Sequence, residues 1–219
     1  MKSIAIITLF SLILIVACNN ANRVTFTTPQ PIGAKDLKEI PKRLQGEFVS
    51  EDKSHTLIIT SNAITKIFDG DIILTTNELD SEIMIIGDTL TVKSDGSKFK
   101  IKKHGDSIIY HQHFEDTLFS LNGINILRKF KGFYFVNIMV ESNEMWEVSQ
   151  IGISKGILTI SAVDSIENIN RLIEVKENNQ DTIVNRNISA NRRQFKHIVK
   201  ENGFSETTKY FKIRSSAIK

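Results

Sequence analysis

The clearest hairpin pattern of the chain is IMIIGDTLTVKSDGSKFKI, residues 83–101. Short runs rich in Ile, Thr and Val are broken here by two turn sequences, Gly87-Asp88 and Asp95-Gly96. Such runs favour β-strands, and Gly-Asp or Asp-Gly pairs between them favour tight hairpin turns. The pattern therefore predicts three antiparallel strands joined by two hairpins.

Further turn sequences continue this meander toward the C-terminus. They are Gly105-Asp106, Glu115-Asp116 and Asn122-Gly123. With two-residue turns at all five places, one face stays apolar from strand to strand, and a slip of one residue would destroy that agreement. The predicted inward set is Ile83, Ile85, Leu90, Val92, Phe99, Ile101, Ile108, Tyr110, Phe114, Phe119, Leu121, Ile124 and Ile126.

The same turns predict the residues that lie opposite each other on neighbouring strands. They place Leu90 between Ile85 and Ile101, and Tyr110 between Ile101 and Leu121. Similar runs separated by turn residues fill most of the chain from residue 44 onward. We therefore predict a mainly β fold, in which an antiparallel meander forms a barrel or a curved sandwich.

One α-helix is predicted near the C-terminus, over residues 189–201. Ser189 can cap it, an apolar stripe includes Phe195 and Ile198, and Gly203 can end it. Around this helix we expect three more strands, at residues 156–162, 169–175 and 210–213.

The predicted domain organisation has three parts. Residues 1–17 form a leader, and residues 18–43, which are polar and contain every proline of the chain, form a tether. Residues 44–219 form the β domain. A short similarity between residues 44–48 and 130–134 suggests that this domain consists of two similar β units, 44–129 and 130–219.

The leader begins with Lys2, continues with an apolar run over residues 4–16, and ends with Ile15-Val16-Ala17-Cys18. This ending resembles the lipobox of bacterial lipoproteins. The resemblance implies cleavage before Cys18, attachment of diacylglycerol to its thiol, and acylation of the new amine by a chain such as palmitate. An ordinary signal peptide or a signal anchor, with a cysteine there by chance, is the alternative.

The resemblance also predicts a location. In some bacteria with two membranes, an Asp after the lipidated cysteine retains a lipoprotein in the inner membrane, whereas Asn19 and Asn20 follow Cys18 here. We therefore expect an anchor in the outer membrane that faces the periplasm, with surface exposure as the alternative. The net charge of +3 is too small to indicate nucleic acid as a partner.

Two histidines, His111 and His113, are the best metal candidates, because residues two apart on a strand share one face. The predicted pairing sets them opposite Lys100 and Lys98, which opposes a cation. We therefore expect a solvated histidine pair, with a metal site as the weaker alternative. No HExxH, GxSxG, Walker A or GxGxxG pattern is present, so we expect no cofactor and no catalytic site.

Gly46-Glu47-Phe48 is similar to the Gly-x-Trp entry of lipocalin-type barrels, with Phe48 in place of the tryptophan. The resemblance implies a barrel that carries a small apolar ligand, whereas a barrel or sandwich filled by its own side chains is the alternative that we favour. The residues predicted to line the cavity of such a carrier are Tyr110, Gln112, Phe114 and Phe119.

An Asp-Ser/Thr-aliphatic motif recurs along the chain. It begins at Asp88, Asp106, Asp116, Asp164 and Asp181. It resembles the acceptor motif of a periplasmic O-glycosylation system, but an Asp in a turn followed by a strand produces the same pattern. We favour the turn interpretation.

These observations give three hypotheses for the function. The first is a non-catalytic, membrane-anchored binding module that contacts another envelope protein, a glycan or a lipid. The second is the lipocalin-like carrier of an apolar ligand. The third is an enzyme with a site dispersed over several strands, which no sequence motif would reveal.

Overall fold

The computed structural model describes residues 24–140, 144–163 and 187–213. In these residues there are 14 strands and one α-helix, α1 (Arg192–Lys200), with a short 3₁₀-helix at Thr76–Glu78. The strands are β1 (Thr25–Phe26), β2 (Gly46–Ser50), β3 (Thr56–Ile59), β4 (Ala63–Thr75), β5 (Ile83–Ile86), β6 (Thr89–Val92), β7 (Lys98–His104), β8 (Ser107–Ser120), β9 (Ile126–Phe130), β10 (Phe133–Val140), β11 (Met145–Ser154), β12 (Ile157–Ala162), β13 (Asn187–Ile188) and β14 (Glu206–Lys212).

The fold is mainly β, as predicted, and the strands form one large mixed sheet. Their order is β13-β1-β11-β12-β14-β2-β3-β4-β8-β7-β6-β5, and β10 and β9 branch off at β11. The pairing of β1 with β13 is parallel, whereas β1 and β11 are antiparallel. The barrel alternative is wrong, because this branched order does not close on itself.

The described residues divide into two compact units. The insert unit consists of Ile67–Asp116, and the main unit consists of the described residues within Cys18–Lys66 and Thr117–Lys219. The predicted division between residues 129 and 130 does not match these units. It falls inside β9, one residue before the strand ends, and all of β9 pairs with β10, from Phe130 opposite Phe133 to Ile126 opposite Asn137.

Two of the predicted hairpins of the insert unit are confirmed. Ile85 lies opposite Leu90 across the Gly87-Asp88 turn, and Ile101 lies opposite Tyr110 across the Gly105-Asp106 turn. In both turns the glycine has a positive φ, 62° at Gly87 and 58° at Gly105, which a residue with a side chain adopts at a cost.

The pairing of β6 with β7 differs from the prediction by two residues. Leu90 lies opposite Phe99 rather than Ile101. The turn is longer than two residues, because the N–H of Val92 donates to the carbonyl of Ser97 at 2.9 Å and closes the loop there. A shift of two residues keeps each side chain on its predicted face, so the apolar set survives the error.

The predicted turn at Glu115-Asp116 is wrong, because β8 runs without a break through these residues. Neither residue is a glycine that would supply a positive φ, and the equally long β4 lies beside β8. The last predicted hairpin, at Asn122-Gly123, is also wrong, since β9 pairs with β10 and not with β8.

The core of the main unit lies on both faces of the sheet around β10. On one face Tyr134 and Val136 belong to a cluster with buried residues such as Phe48. On the other face Phe135 packs edge-on against Phe195 of α1, with ring centroids 5.0 Å apart. Because both faces are covered, apolar residues occupy successive positions of β10 from Phe133 to Val136 rather than alternate ones.

The tether prediction is wrong from residue 24 onward, and residues 18–23 lie outside the described part of the chain. Phe26 and Ile40 are buried, and β1 pairs with β11. The buried backbone of Gln30 is held by Asn137, whose Oδ1 accepts from the Gln30 N–H at 2.6 Å and whose Nδ2 donates to the Gln30 carbonyl at 2.9 Å. These contacts make the segment part of the fold.

The helix is confirmed, although both of its ends differ from the prediction. Asn191, not Ser189, is the cap, and its side chain accepts hydrogen bonds from the N–H groups of Arg193 and Gln194. At the other end Asn202 takes the left-handed conformation, with φ 58°, and Gly203 follows it. None of the helices in the described residues is long and apolar enough to cross a membrane.

Two of the three predicted C-terminal strands are present. Residues 156–162 correspond to β12, and residues 210–213 correspond to the end of β14. The strand predicted at residues 169–175 lies outside the described residues.

Candidate functional site

The insert unit is a sheet with one apolar face and one exposed face. Its strands follow the order β4-β8-β7-β6-β5. The apolar face forms a small cluster in which four side chains are buried and others are half-buried. The buried four are Leu74, Leu90, Ile101 and Ile108.

The opposite face, called the outer face here, changes its chemistry from one edge to the other. Acidic and histidine side chains lie on β4 and β8, lysines on β7, threonines on β6, and apolar side chains on β5. The residues are Asp69, Asp71, His111, His113, Glu115, Lys98, Lys100, Lys102, Thr89, Thr91, Met84 and Ile86, and the apolar Ile73 of β4 and Ile109 of β8 lie among them.

The most exposed large apolar side chains of the described residues lie in the insert unit. Ile86 is 67% exposed, Ile73 is 61% exposed and Phe114 is 52% exposed. Met84, which is 40% exposed, lies two residues before Ile86 on the same face of β5. An exposed pair of this kind on a short strand is a candidate contact surface.

The two candidate metal ligands, His111 and His113, lie in a ladder of ion pairs. His111 places Nε2 at 2.8 Å from Oδ1 of Asp69 and Nδ1 at 3.2 Å from Oδ1 of Asp71. His113 places Nδ1 at 3.5 Å from Oδ1 of Asp69 and Nε2 at 3.1 Å from Oε1 of Glu115. Each imidazole therefore faces a carboxylate at both nitrogens.

At His113 this ladder favours the protonated ring over metal binding. The hydrogen bond to Glu115, with a further contribution from Asp69, raises the pKa of His113. A protonated ring has no lone pair for a metal. Among the described residues, no group of three or more His, Cys, Asp or Glu side chains is arranged to hold a metal ion.

Asp69 and Asp71, which lie about 40 residues before the histidines, were not predicted to be their neighbours. The predicted pairing gave the histidines neighbours only on the β7 side of β8, where it sets Lys98 and Lys100 opposite them. The available signal was the triplet Asp69-Gly70-Asp71 within a long alternating run, which places two carboxylates on one face of a strand.

The four residues predicted to line a ligand cavity do not lie together. Tyr110, Gln112 and Phe114 share one side of β8, and the ring of Tyr110 lies 4.9 Å from that of Phe99. Phe119 is buried in the packed cluster of the main unit. Because β8 has no turn at Glu115-Asp116, the odd spacing between 114 and 119 removes the predicted common face.

A second polar cluster lies in the main unit, where Tyr210 of β14 meets the β2–β3 turn. Nε2 of His55 lies 3.2 Å from the Tyr210 hydroxyl, and Nδ1 lies 2.8 Å from Oγ of Ser54. Ser54 donates to the carboxylate of Asp52 at 2.8 Å. The simplest assignment of protons has Tyr210 donating to His55, His55 to Ser54, and Ser54 to Asp52.

The pKa shifts agree with this assignment. Burial lowers the pKa of His55, with a further contribution from Lys66, and burial together with Asp52 raises the pKa of Tyr210. The hydrogen bonds from Ser50 and Ser54 hold the pKa of Asp52 far below its usual range. Because both ring nitrogens of His55 are engaged, the cluster ties the turn to β14 and offers no free base.

The recurring Asp-Ser/Thr-aliphatic motif has two different settings. Thr89 and Ser107 begin β6 and β8 directly after turns, as the turn interpretation predicts. Thr117, in contrast, is exposed within β8, where no turn precedes it. The motifs at Asp164 and Asp181 lie outside the described residues, as does the predicted lipidation site, Cys18.

Comparison of the chain with protein-family models, with curated proteins and with solved structures gave no match.

Proposed function

We propose that this chain is a lipid-anchored envelope protein whose β domain is a non-catalytic binding module. The observation that carries the binding role is the exposed apolar pair Met84 and Ile86 on β5 of the insert unit. Exposed apolar side chains that lie side by side are typical of contact surfaces. The outer membrane, on its periplasmic side, is the proposed location.

The arrangement of the described residues supports a surface role more than the two alternatives. The main unit is filled by the side chains of two packed clusters, and Phe119, a proposed cavity residue, belongs to one of them. An enzyme would need an acid or base that is free to exchange a proton with a substrate. In the two histidine clusters, His55, His111 and His113 have both ring nitrogens within reach of another side chain.

The binding role can be tested in the native host by site-specific photo-crosslinking. A photoreactive amino acid replaces Ile86 in one variant and Lys196, which is exposed on α1, in the control. We expect a discrete adduct with an envelope component at position 86 and none at position 196. Equal adduct patterns at the two positions, or none at either, would contradict a binding surface on β5.

The anchor can be tested separately through Cys18. In a Cys18→Ser variant we expect that labelled fatty acid is no longer incorporated and that the protein moves from the membrane to the soluble fraction. The wild-type chain, labelled in parallel, is the control. A variant that remains labelled and membrane-bound would show that Cys18 is not the anchor.

A further inference from the structure

Strand β5 has one paired side and one side directed away from the sheet. The N–H of Lys93 donates to the carbonyl of Glu82 at 2.8 Å, so this pair is hydrogen-bonded across β5 and β6. Hydrogen-bonded and non-hydrogen-bonded pairs alternate along an antiparallel ladder. Met84 and Ile86 therefore also form hydrogen-bonded pairs with β6, whereas Ile83 and Ile85 do not. The backbone groups of Ile83 and Ile85 therefore point to the opposite side, where no strand of the described chain pairs with β5.

One backbone group on this outer side already has a hydrogen bond within the chain, and the remaining groups are suited to pairing with an added strand. The N–H of Ile83 donates to the carbonyl of Asp80 at 3.2 Å. The N–H and carbonyl of Ile85 and the carbonyl of Ile83 point away from β6. Natural sheets protect such edges with charged residues or proline. Residues 83–86, which are Ile-Met-Ile-Ile, contain neither.

The side chains of β5 indicate what an added strand would contact. Ile83 and Ile85 are half-buried at the margin of the apolar cluster, while Met84 and Ile86 are exposed on the outer face. An added strand places its side chains alternately on these two faces. Both faces at this edge are apolar, so the strand that fits has apolar residues on both of its faces.

The charges around β5 distinguish a foreign strand from a second copy of this chain. Residues 79–88 contain Asp80, Glu82 and Asp88 and no basic residue, although Lys93 Nζ donates to the carbonyl of Ser81 at 2.5 Å and Lys100 Nζ lies 3.9 Å from Oδ2 of Asp88. If two copies of β5 paired antiparallel, Asp80 would face Asp88 of the other copy in one register, and Glu82 would face Asp88 in the next. Like charges directly opposite each other destabilise a sheet, so both of these registers are disfavoured.

We infer that the outer side of β5 binds an extended polypeptide segment of another protein, with about four apolar residues flanked by Lys or Arg, by adding it as a strand to the sheet. This inference rests on the proposed binding function and names its partner chemistry. Main-chain hydrogen bonds to Ile83 and Ile85 hold the segment. Its basic ends lie near Asp80, Glu82 and Asp88.

The test uses the full chain purified from its host and a fluorescein-labelled peptide, Lys-Lys-Val-Ile-Val-Ile-Lys-Lys. Binding is followed by fluorescence anisotropy at low salt, and we expect saturation. A peptide N-methylated at every amide of its central four residues cannot pair through either edge and should bind at least about tenfold more weakly. Equal binding by the methylated peptide would overturn main-chain pairing.

The charge of the peptide and the position of its binding site on the protein are tested in the same assay. Replacing the four lysines of the peptide with glutamates should weaken binding by about tenfold or more, because the ends would then meet like charges. On the protein, Ile86→Lys should weaken binding to a similar extent. Its matched control is Ile73→Lys, which changes a comparably exposed isoleucine on β4. Equal effects of the two substitutions would place the peptide elsewhere.

Self-association is measured by sedimentation of the chain without peptide. We expect a monomer, whereas a dimer that Ile86→Lys dissociates would show that the occupant is a second copy. The inference and the proposed function can fail separately. A crosslinked partner at position 86, combined with no peptide binding, would overturn the strand-addition inference and leave the binding function intact.

Discussion

Asn137 allows a sharp test of the conclusion that the segment around Gln30 belongs to the folded domain. Its side chain is fully buried on β10. It accepts from the Gln30 N–H and donates to the carbonyl of Gln30, and its Nδ2, which has two hydrogens to share, also lies 3.1 Å from the carbonyl oxygen of Phe135 and 3.3 Å from that of Ile126. One side chain thus satisfies both backbone groups of a buried residue far away in the sequence.

The substitution Asn137→Ala leaves the N–H and the carbonyl of Gln30 buried without these partners. A buried polar group that loses its hydrogen bond costs about 1–3 kcal/mol. Two such groups give a range of about 2–6 kcal/mol, and water entering the vacated space lowers the cost. We therefore expect the free energy of unfolding to fall by about 2–4 kcal/mol.

The fall can be measured by urea unfolding, followed through the fluorescence of Trp146. This is the only tryptophan of the chain, and it lies opposite Phe26 of β1, close to the segment in question. The matched control is Asn77→Ala, at an exposed position, which should change the free energy of unfolding by less than about 0.5 kcal/mol.

A second substitution separates lost hydrogen bonds from lost volume. Asn137→Asp keeps the shape and the acceptor but removes the donor, so we expect a large loss at pH 7 that acid partly restores by protonating the carboxylate. If Asn137→Ala costs no more than Asn77→Ala, the backbone of Gln30 is not buried against β10 and the reasoning fails.

Two further predictions concern the core and the polar cluster of the main unit. Phe195→Ala should lower the free energy of unfolding by about 3–5 kcal/mol in the same urea assay, because the ring is fully buried among Phe26, Phe135 and Phe204; a loss below about 1 kcal/mol would mean that α1 does not cover the sheet. Because the pKa of His55 is lowered in the folded state, its contribution to stability is complete above its ordinary pKa of about 6.5 and falls as the pH drops through the lowered value. Urea unfolding at several pH values between 7.5 and 5 should show this fall in the wild type and a flatter dependence in His55→Gln, whereas parallel slopes would exclude His55 as the source.

Two hairpins of the insert unit were predictable because each depends on a few adjacent residues. A glycine in the turn and apolar residues at alternate positions were sufficient to pair Ile85 with Leu90 and Ile101 with Tyr110. A glycine was not always sufficient, because the turn at Asp95-Gly96 is longer than predicted and β9, after Asn122-Gly123, pairs with β10. At Glu115-Asp116, which has no glycine, the extended β8 continues beside β4.

The helix, too, was predictable only in part from its own residues. Its apolar stripe, with Phe195 and Ile198, was readable from a period of about 3.6 residues. The residues that end the helix were not, because Ser189, Asn191, Asn202 and Gly203 are all suitable near a helix end. Packing against the sheet selects which turn of the chain is helical.

Residues adjacent in the sequence were sufficient to predict the mainly β fold, the hairpins at Gly87-Asp88 and Gly105-Asp106, and the position of α1. The lipid anchor at Cys18 stays a prediction. The contacts of Asp69 and Asp71 with His111, the hydrogen bonds of Asn137 to Gln30 and the open edge of β5 appear only in the folded sheet. The physical reason is the range of the interactions. A turn or a helical stripe is specified by neighbouring residues, whereas the choice of a strand's neighbour depends on side chains that are distant in the sequence and meet only when the sheet forms.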